Sequence, residues 1–147
     1  MPRKFALKPF IPYESDIQKS MLVQLAYNPL VAWAERVNSG AAMLPSGKGK
    51  ALRPVKFNTI KGCSDILGQM KVGTFLAVEA KRPPWSKPTD KHEDDQLEFL
   101  IRVTRANGIA FFATSIEQVA AGIARRVGTC AKFHPLSEVN AAFLSPL

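Results

Sequence analysis

Cysteine and histidine are almost missing from this chain. Cys63, Cys130, His92 and His134 are all there are; Cys130 and His134 are four positions apart, and the other two stand alone. Without a Cys-x-x-Cys pair, neither a zinc site nor a disulfide framework is expected, and both thiols read as reduced and partly buried. Long apolar runs are lacking too, since none approaches the ~20 residues of a membrane-spanning helix. The basic start Met1-Pro2-Arg3-Lys4-Phe5 leads into no adequate apolar signal core. An intracellular, cytoplasmic protein with no membrane contact is therefore expected. Internal repeats and linkers are absent, so residues 1–147 read as one domain.

Acidic residues are missing from one stretch in particular. Between Arg36 and Gly62 there are six basic residues (Arg36, Lys48, Lys50, Arg53, Lys56 and Lys61) and no acid. The whole chain carries a formal net charge of +8, with a pI near 9.8. Basic charge concentrated in this way is a footprint for polyanions, with backbone phosphate the obvious case. It equally suits a ribosomal or capsid protein, so charge alone names no chemistry.

What is present reads as alternating α and β structure. Residues 1–11 look like an extended arm. Ile17, Met21 and Leu25 recur at helical spacing, so a helix from about Pro12 to Ala26 is expected, ended by Asn28-Pro29. Val31–Val37 suits a strand, and 44–53 a mobile basic loop. Short strands follow at Val55–Ile60, Cys63–Leu67 and Thr74–Lys81, the last two antiparallel across a Gly68–Gly73 hairpin loop. Residues 82–92 are too proline-rich to hold a ladder. A helix from Glu93 to Ala106 has acids in its first turn and Gly108 as its C-terminal cap. Ile109–Thr114 is a buried strand. Ser115-x-x-Gln118 resembles a capping box, opening a helix with Ile116, Val119, Ile123 and Val127 on one face. Residues 128–147 remain unassigned. The expected fold class is α/β, a single mixed β-sheet flanked by helices.

The chemistry lies in Gly62-Cys63-Ser64-Asp65-Ile66 and Phe75-Leu76-Ala77-Val78-Glu79-Ala80-Lys81. On a strand, Glu79 and Lys81 project together while Leu76, Val78 and Ala80 face the other way. Desolvated ions cost several kcal/mol each unless paired. A hard divalent cation answers that cost with carboxylate, phosphate and water oxygens, so the pattern points to metal-assisted phosphodiester cleavage. Each piece has a plainer reading: Asp65 as a turn residue, Glu79-x-Lys81 as a solvated pair, Gln96 as a first-turn amide, and Glu14 as a helix cap.

Five segments in order carry a resemblance: Glu14-x-x-Ile17-Gln18, Arg36-x-Asn38-Ser39-Gly40, Gly62-x-Ser64-Asp65-Ile66, Val78-Glu79-Ala80-Lys81 and Gln96-x-x-Phe99-Leu100. Together with the Gly108-Ile109-Ala110 strand start, they make the chain resemble a virus-type replication-repair nuclease (VRR-NUC) domain, a branch of the PD-(D/E)xK nucleases. The match runs from about Glu14 to Val119, within a core of about 12–127. Cys63-Ser64 departs from the proline that often precedes the aspartate, and the loop before Gln96 is long.

That resemblance implies a restriction-endonuclease-like core. It implies Mg²⁺ or Mn²⁺ held by Asp65, Glu79 and the backbone carbonyl of Ala80, with Glu14 an additional candidate. Lys81 would orient or help deprotonate water, and Gln96 would sit beside it. Arg36, Asn38, Ser39, Lys48, Lys50, Arg53, Lys56 and Lys61 would meet DNA without sequence preference. A nuclease acting on four-way junctions, flaps or nicks follows, in phage or prophage replication, recombination or repair within a bacterial or infected host cell. The same resemblance implies a homodimer, with the N-terminal arm or Phe143-Leu144 as candidate surfaces. The competing expectations are a non-catalytic basic nucleic-acid-binding module that retains the fold, and an RNA-cleaving, toxin-like nuclease.

Overall fold

Phe75–Ala80 forms a strand whose last five residues are all buried, which is possible only where both faces are covered. The computed structural model describes residues 9–38, 40–47 and 51–129. In chain order these form α1 (Glu14–Tyr27), β1 (Val31–Arg36), β2 (Ala41–Pro45), β3 (Leu52–Lys56) and β4 (Ile66–Met70). There follow β5 (Phe75–Ala80), α2 (Lys91–Arg105), β6 (Ile109–Ala113) and α3 (Ile116–Thr129). The four-stranded sheet runs β1-β4-β5-β6. β1–β4 and β4–β5 are antiparallel, whereas β5–β6 is parallel and needs α2 as its crossover. The fold is mixed α/β with helices on the sheet's two faces.

Alternation along the strands sorts the core. On one face, Ile17, Met21 and Leu25 of α1 and Val119 and Ile123 of α3 pack on Ile66, Leu76, Val78, Ala80 and Phe111. On the other, Phe99 and Leu100 of α2 cover Cys63, Ala77, Ala110 and Phe112. Glu79 and Lys81 have the parity of Ala77, so they emerge beneath α2 at the sheet end where β5 stops.

Several boundaries differ from the sequence reading. The residues expected to begin the fourth strand, Cys63–Asp65, form an irregular approach, and the strand itself is Ile66–Met70. Gly68 lies inside it, packed so closely on the Trp33 carbonyl that a side chain would collide. The turn is the shorter Lys71–Gly73, closed by Gly73 N–H donating to Met70 O at 2.8 Å, with Gly73 at φ 90°. Of the segment expected as a loop over 44–53, Leu44 and Pro45 pair with Arg53 and Leu52 in a separate two-stranded sheet, β2 with β3. Its pairing is local and its side chains stay mostly exposed, so no buried apolar stripe announced it.

The second helix starts at Lys91, two residues early, because the Asp90 carboxylate caps Glu93 N–H at 2.9 Å. At its end Asn107, not Gly108, takes the left-handed conformation (φ 62°). Asn107 N–H donates to Thr104 O and Gly108 N–H to Val103 O, a Schellman closure. Gly108 is still required, since a Cβ there would strike Val103. Ser115 caps Gln118 N–H as expected, but the Gln118 side chain returns to Thr114 N–H at 2.7 Å. Ile116 is exposed rather than core-facing. Phe143, Leu144 and the rest of 130–147 lie outside the described residues, as do residues 1–8.

Gly62 holds the approach to β4 in place. It sits at φ 66°, and a Cβ would overlap the backbone of Asp95 and Gln96. Gly62→Ala is expected to lower unfolding free energy by about 2–4 kcal/mol, seen as a lower urea midpoint. An unchanged midpoint would mean that this loop is not clamped to α2.

Candidate functional site

The β4–β5 register pairs Ile66 with Val78, so Asp65 stands directly across from Glu79. The two residues hold each other. Asp65 N–H donates to Glu79 Oε2 and Ala80 N–H donates to Asp65 Oδ2, both at 3.2 Å. Lys81 reaches Glu79 Oε1 at 3.5 Å and Glu93 Oε1 at 3.5 Å. Gln96 bridges the pair from α2: its Oε1 accepts from Lys81 Nζ at 2.7 Å, and its Nε2 donates to Glu79 Oε1 at 2.5 Å. Glu79, Lys81 and Gln96 are 1%, 8% and 5% exposed, so this is a desolvated constellation and not a surface ion pair.

Two further segments are pinned to it. Arg82 donates to Pro12 O at 3.0 Å and Ile11 O at 3.1 Å, which ties the start of α1 to the end of β5. That places Glu14 where it feels the charges of Asp65, Lys81, Glu93 and His92. The Glu93 carboxylate binds Trp85 Nε1 at 2.9 Å and the N–H and hydroxyl of Thr89. Trp85 in turn lies on Phe112, with ring centroids 4.5 Å apart.

Electrostatics follows from burial with too little positive charge. Desolvation, then repulsion from Asp65, pushes the Glu79 carboxyl up to about 8, against the opposing pull of Lys81. Desolvation also raises Asp65, opposed by the Ala80 N–H, Lys81 and the Gln18 amide. Partial desolvation and the Asp65 charge raise Glu14. Hydrogen bonds from Thr89, together with the Lys81 charge and the Trp85 indole, outweigh desolvation and lower Glu93. Lys81 thus serves four carboxylates, and the Asp65–Glu79 pair must retain a proton or gain another cation.

A divalent ion fits this donor set. Two carboxylates lie side by side, and Gln18 offers a buried Oε1 with no protein partner while its amide serves Asp65. The Ser64 hydroxyl beside Asp65 is likewise buried without a partner. Among the described residues no group of three or more His, Cys, Asp and Glu side chains is arranged around one ion. The remaining ligands would therefore be carbonyl, amide and water oxygens, a set that suits Mg²⁺ or Mn²⁺ better than zinc.

The structure thus brings together Asp65, Glu79, Ala80, Lys81, Gln96 and Glu14. The basic residues are dispersed. Arg36 ends β1 opposite Ile66, and the next N–H, of Val37, donates to Asp65 O at 2.7 Å, so Arg36 borders the site. Asn38 is exposed just beyond it, while Arg53 and Lys56 are exposed on β3. Lys61 is not a free cation: it pairs with Asp95 at 2.8 Å. Ser39, Lys48 and Lys50 lie outside the described residues.

Sequence reasoning missed the parts played by His92, Glu93 and Gln18. His92 stands one helical turn before Gln96, a spacing readable once Asp90 is recognised as the cap. By sequence Glu93 reads only as a first-turn acid complementing the helix dipole, and Gln18 follows Glu14 at i+4 on the buried face of α1. A groove of about 290 Å³ lined by Phe75, Phe99, Arg102, Val103 and Ala106 lies at the opposite end of β5.

No protein-family model matches the chain, and comparison with curated proteins finds no match. Among the described residues no helix is long and apolar enough to cross a membrane.

The raised Glu79 carboxyl sets a pH dependence for the metal-free protein. Its folded pKa of about 8 exceeds the ordinary 4.5, so the folded state binds the proton more tightly than the unfolded state. The resulting stability is fully present below about 4.5 and is lost as pH rises through about 8. With chelator present, the melting temperature should fall across that window, and Glu79→Gln should flatten the fall. A wild-type melting temperature that rises with pH there would contradict the assignment.

Proposed function

We propose that this chain is a Mg²⁺- or Mn²⁺-dependent DNA nuclease with a restriction-endonuclease-like core of the VRR-NUC kind, acting on branched or interrupted DNA. The observation that carries the reading is the cross-strand placement of Asp65 against Glu79, with Lys81 on the same face two residues on. A basic nucleic-acid-binding module has no need of two acids and a lysine buried together, at a desolvation cost of several kcal/mol per ion.

Asp65, Glu79 and the Ala80 carbonyl would hold the ion. When bound, it would lower the pKa of a coordinated water and polarise the phosphoryl oxygen. Lys81, steadied by Gln96 and Glu93, supplies positive charge where the phosphorane becomes more negative and orients the attacking water. Glu14, with its carboxyl raised, is suited to a water-mediated contact on the α1 side. Arg36 and Asn38 at the adjoining strand end, with Arg53 and Lys56 on the hairpin, would meet backbone phosphates, which gives affinity without base readout. A two-fold homodimer would present two such sites to the paired strands of a junction.

The deciding experiment is a panel of linear, nicked, flap and four-way-junction DNA, scored with Mg²⁺, Mn²⁺ and EDTA. Asp65→Ala and Glu79→Ala should each reduce metal-dependent cleavage by ~10³-fold or more while binding persists. Lys81→Ala should slow cleavage by ~10²-fold with the fold intact. Wild-type protein that binds every member and cuts none, with either metal, would leave the binding module as the better account.

The phosphate contacts have their own test. Arg36→Ala should weaken DNA binding and reduce the salt slope by about one unit. Lys61→Ala, removing a cation already engaged by Asp95, should change that slope less. A slope for Arg36→Ala equal to that of wild type would remove Arg36 from the interface.

A further inference from the structure

The amide of Gln96 has more partners than the chemistry just described uses. Its Oε1 faces Lys81 Nζ, an ammonium that can only donate, so the oxygen must lie on that side. One N–H of its Nε2 goes to Glu79 Oε1. His92 Nε2 lies 3.3 Å from the same nitrogen, within reach of its second N–H. An amide nitrogen has no lone pair to offer a donor, so this contact is a hydrogen bond only if His92 Nε2 is the acceptor. The ring proton is then on Nδ1.

We infer that His92 is a positioning residue: by accepting the second N–H of Gln96, it locks the amide plane that holds Lys81 and Glu79 in register. The kinetic consequence rests on the nuclease reading; the structural claim does not. Three partners, each of one polarity, now fix a buried amide. With His92 gone, one N–H loses its partner and the amide can rotate toward water, carrying its oxygen away from Lys81. The geometry comes from local sequence. Asp90 starts α2 one residue before Lys91, and His92 and Gln96 then stand at i and i+4 on the helix surface. His92 is exposed while Gln96 is buried, so a substitution at 92 removes the hydrogen bond with little loss of core.

The test compares His92→Ala, His92→Gln and both changes in a Gln96→Ala background. In single-turnover cleavage with Mn²⁺, His92→Ala should be ~10-fold slower with DNA affinity within ~2-fold of wild type, and it should add nothing once Gln96 is alanine. His92→Gln, which can place an acceptor oxygen where Nε2 was, should recover most of the rate. Independently of activity, ¹⁵N NMR of the metal-free protein above the ordinary imidazole range should find His92 Nε2 unprotonated. The Gln96 side-chain protons should exchange ~10-fold faster in His92→Ala, with an unchanged thermal melt. A proton on Nε2, equal exchange rates, or a rate loss that persists in the Gln96→Ala background would overturn the inference. If wild type cuts no DNA, the nuclease reading fails by itself, and the NMR arm still decides whether His92 holds the amide.

Discussion

Two carboxylates face each other across neighbouring antiparallel strands, and one lysine lies between them and the helix above. Most of what is unusual in this protein follows from that imbalance of charge in a dry place. Isolated, such a pair would be expelled to the surface or neutralised, since burial alone raises both carboxyls. Here each is held by a backbone N–H of the opposing strand, a bond that exists only while the register is kept. The ladder and the charges are therefore coupled. The hydrogen bonds that continue the sheet beyond its last paired residues are made by the acidic groups themselves.

The rest of the fold can be understood as support for that corner. α2 is set by the Asp90 cap and by the close seat of Gly62 on its backbone, and it delivers Gln96, Glu93 and His92 to the lysine side. α1 is fastened from the opposite direction by Arg82, which bonds two carbonyls just ahead of the helix and stacks on Tyr13. Gln18 and Glu14 are thereby brought over the aspartate. These clasps join segments as much as 71 positions apart in the chain, and each uses a polar group at the margin of an apolar core. The packing in the two core layers fixes strand positions to the tolerance such bonds demand.

Legibility varied with the kind of signal. The stripe of Ile17, Met21 and Leu25 and the alternation in Phe75–Ala80 were readable because a buried face imposes its own period. The paired parity of Glu79 and Lys81 followed from the same rule. The β2–β3 hairpin was not readable. Its residues remain largely in water, and Gly, Lys and Pro obscure any alternation. The beginning of β4 was placed too early because Gly68 looked like a turn residue, although it lies in the ladder where only a missing Cβ allows two backbones to approach. Lys61 looked like one more phosphate ligand in an acid-free stretch, yet its partner Asp95 lies 34 positions downstream, beyond any local pattern.

The amino-acid order by itself determined which residues bear charge and which strand face each occupies, because pleating and apolar periodicity are local properties of the chain. It also set the basic excess and the scarcity of thiol and imidazole. Only the tertiary structure decided that Asp65 and Glu79 share one dry site, that Gln96 bridges Glu79 and Lys81, and that Glu93, His92 and Gln18 surround them. Strand register and helix docking are settled by the collective packing of distant side chains, and a desolvated charge gains or loses its proton only once that packing has excluded water.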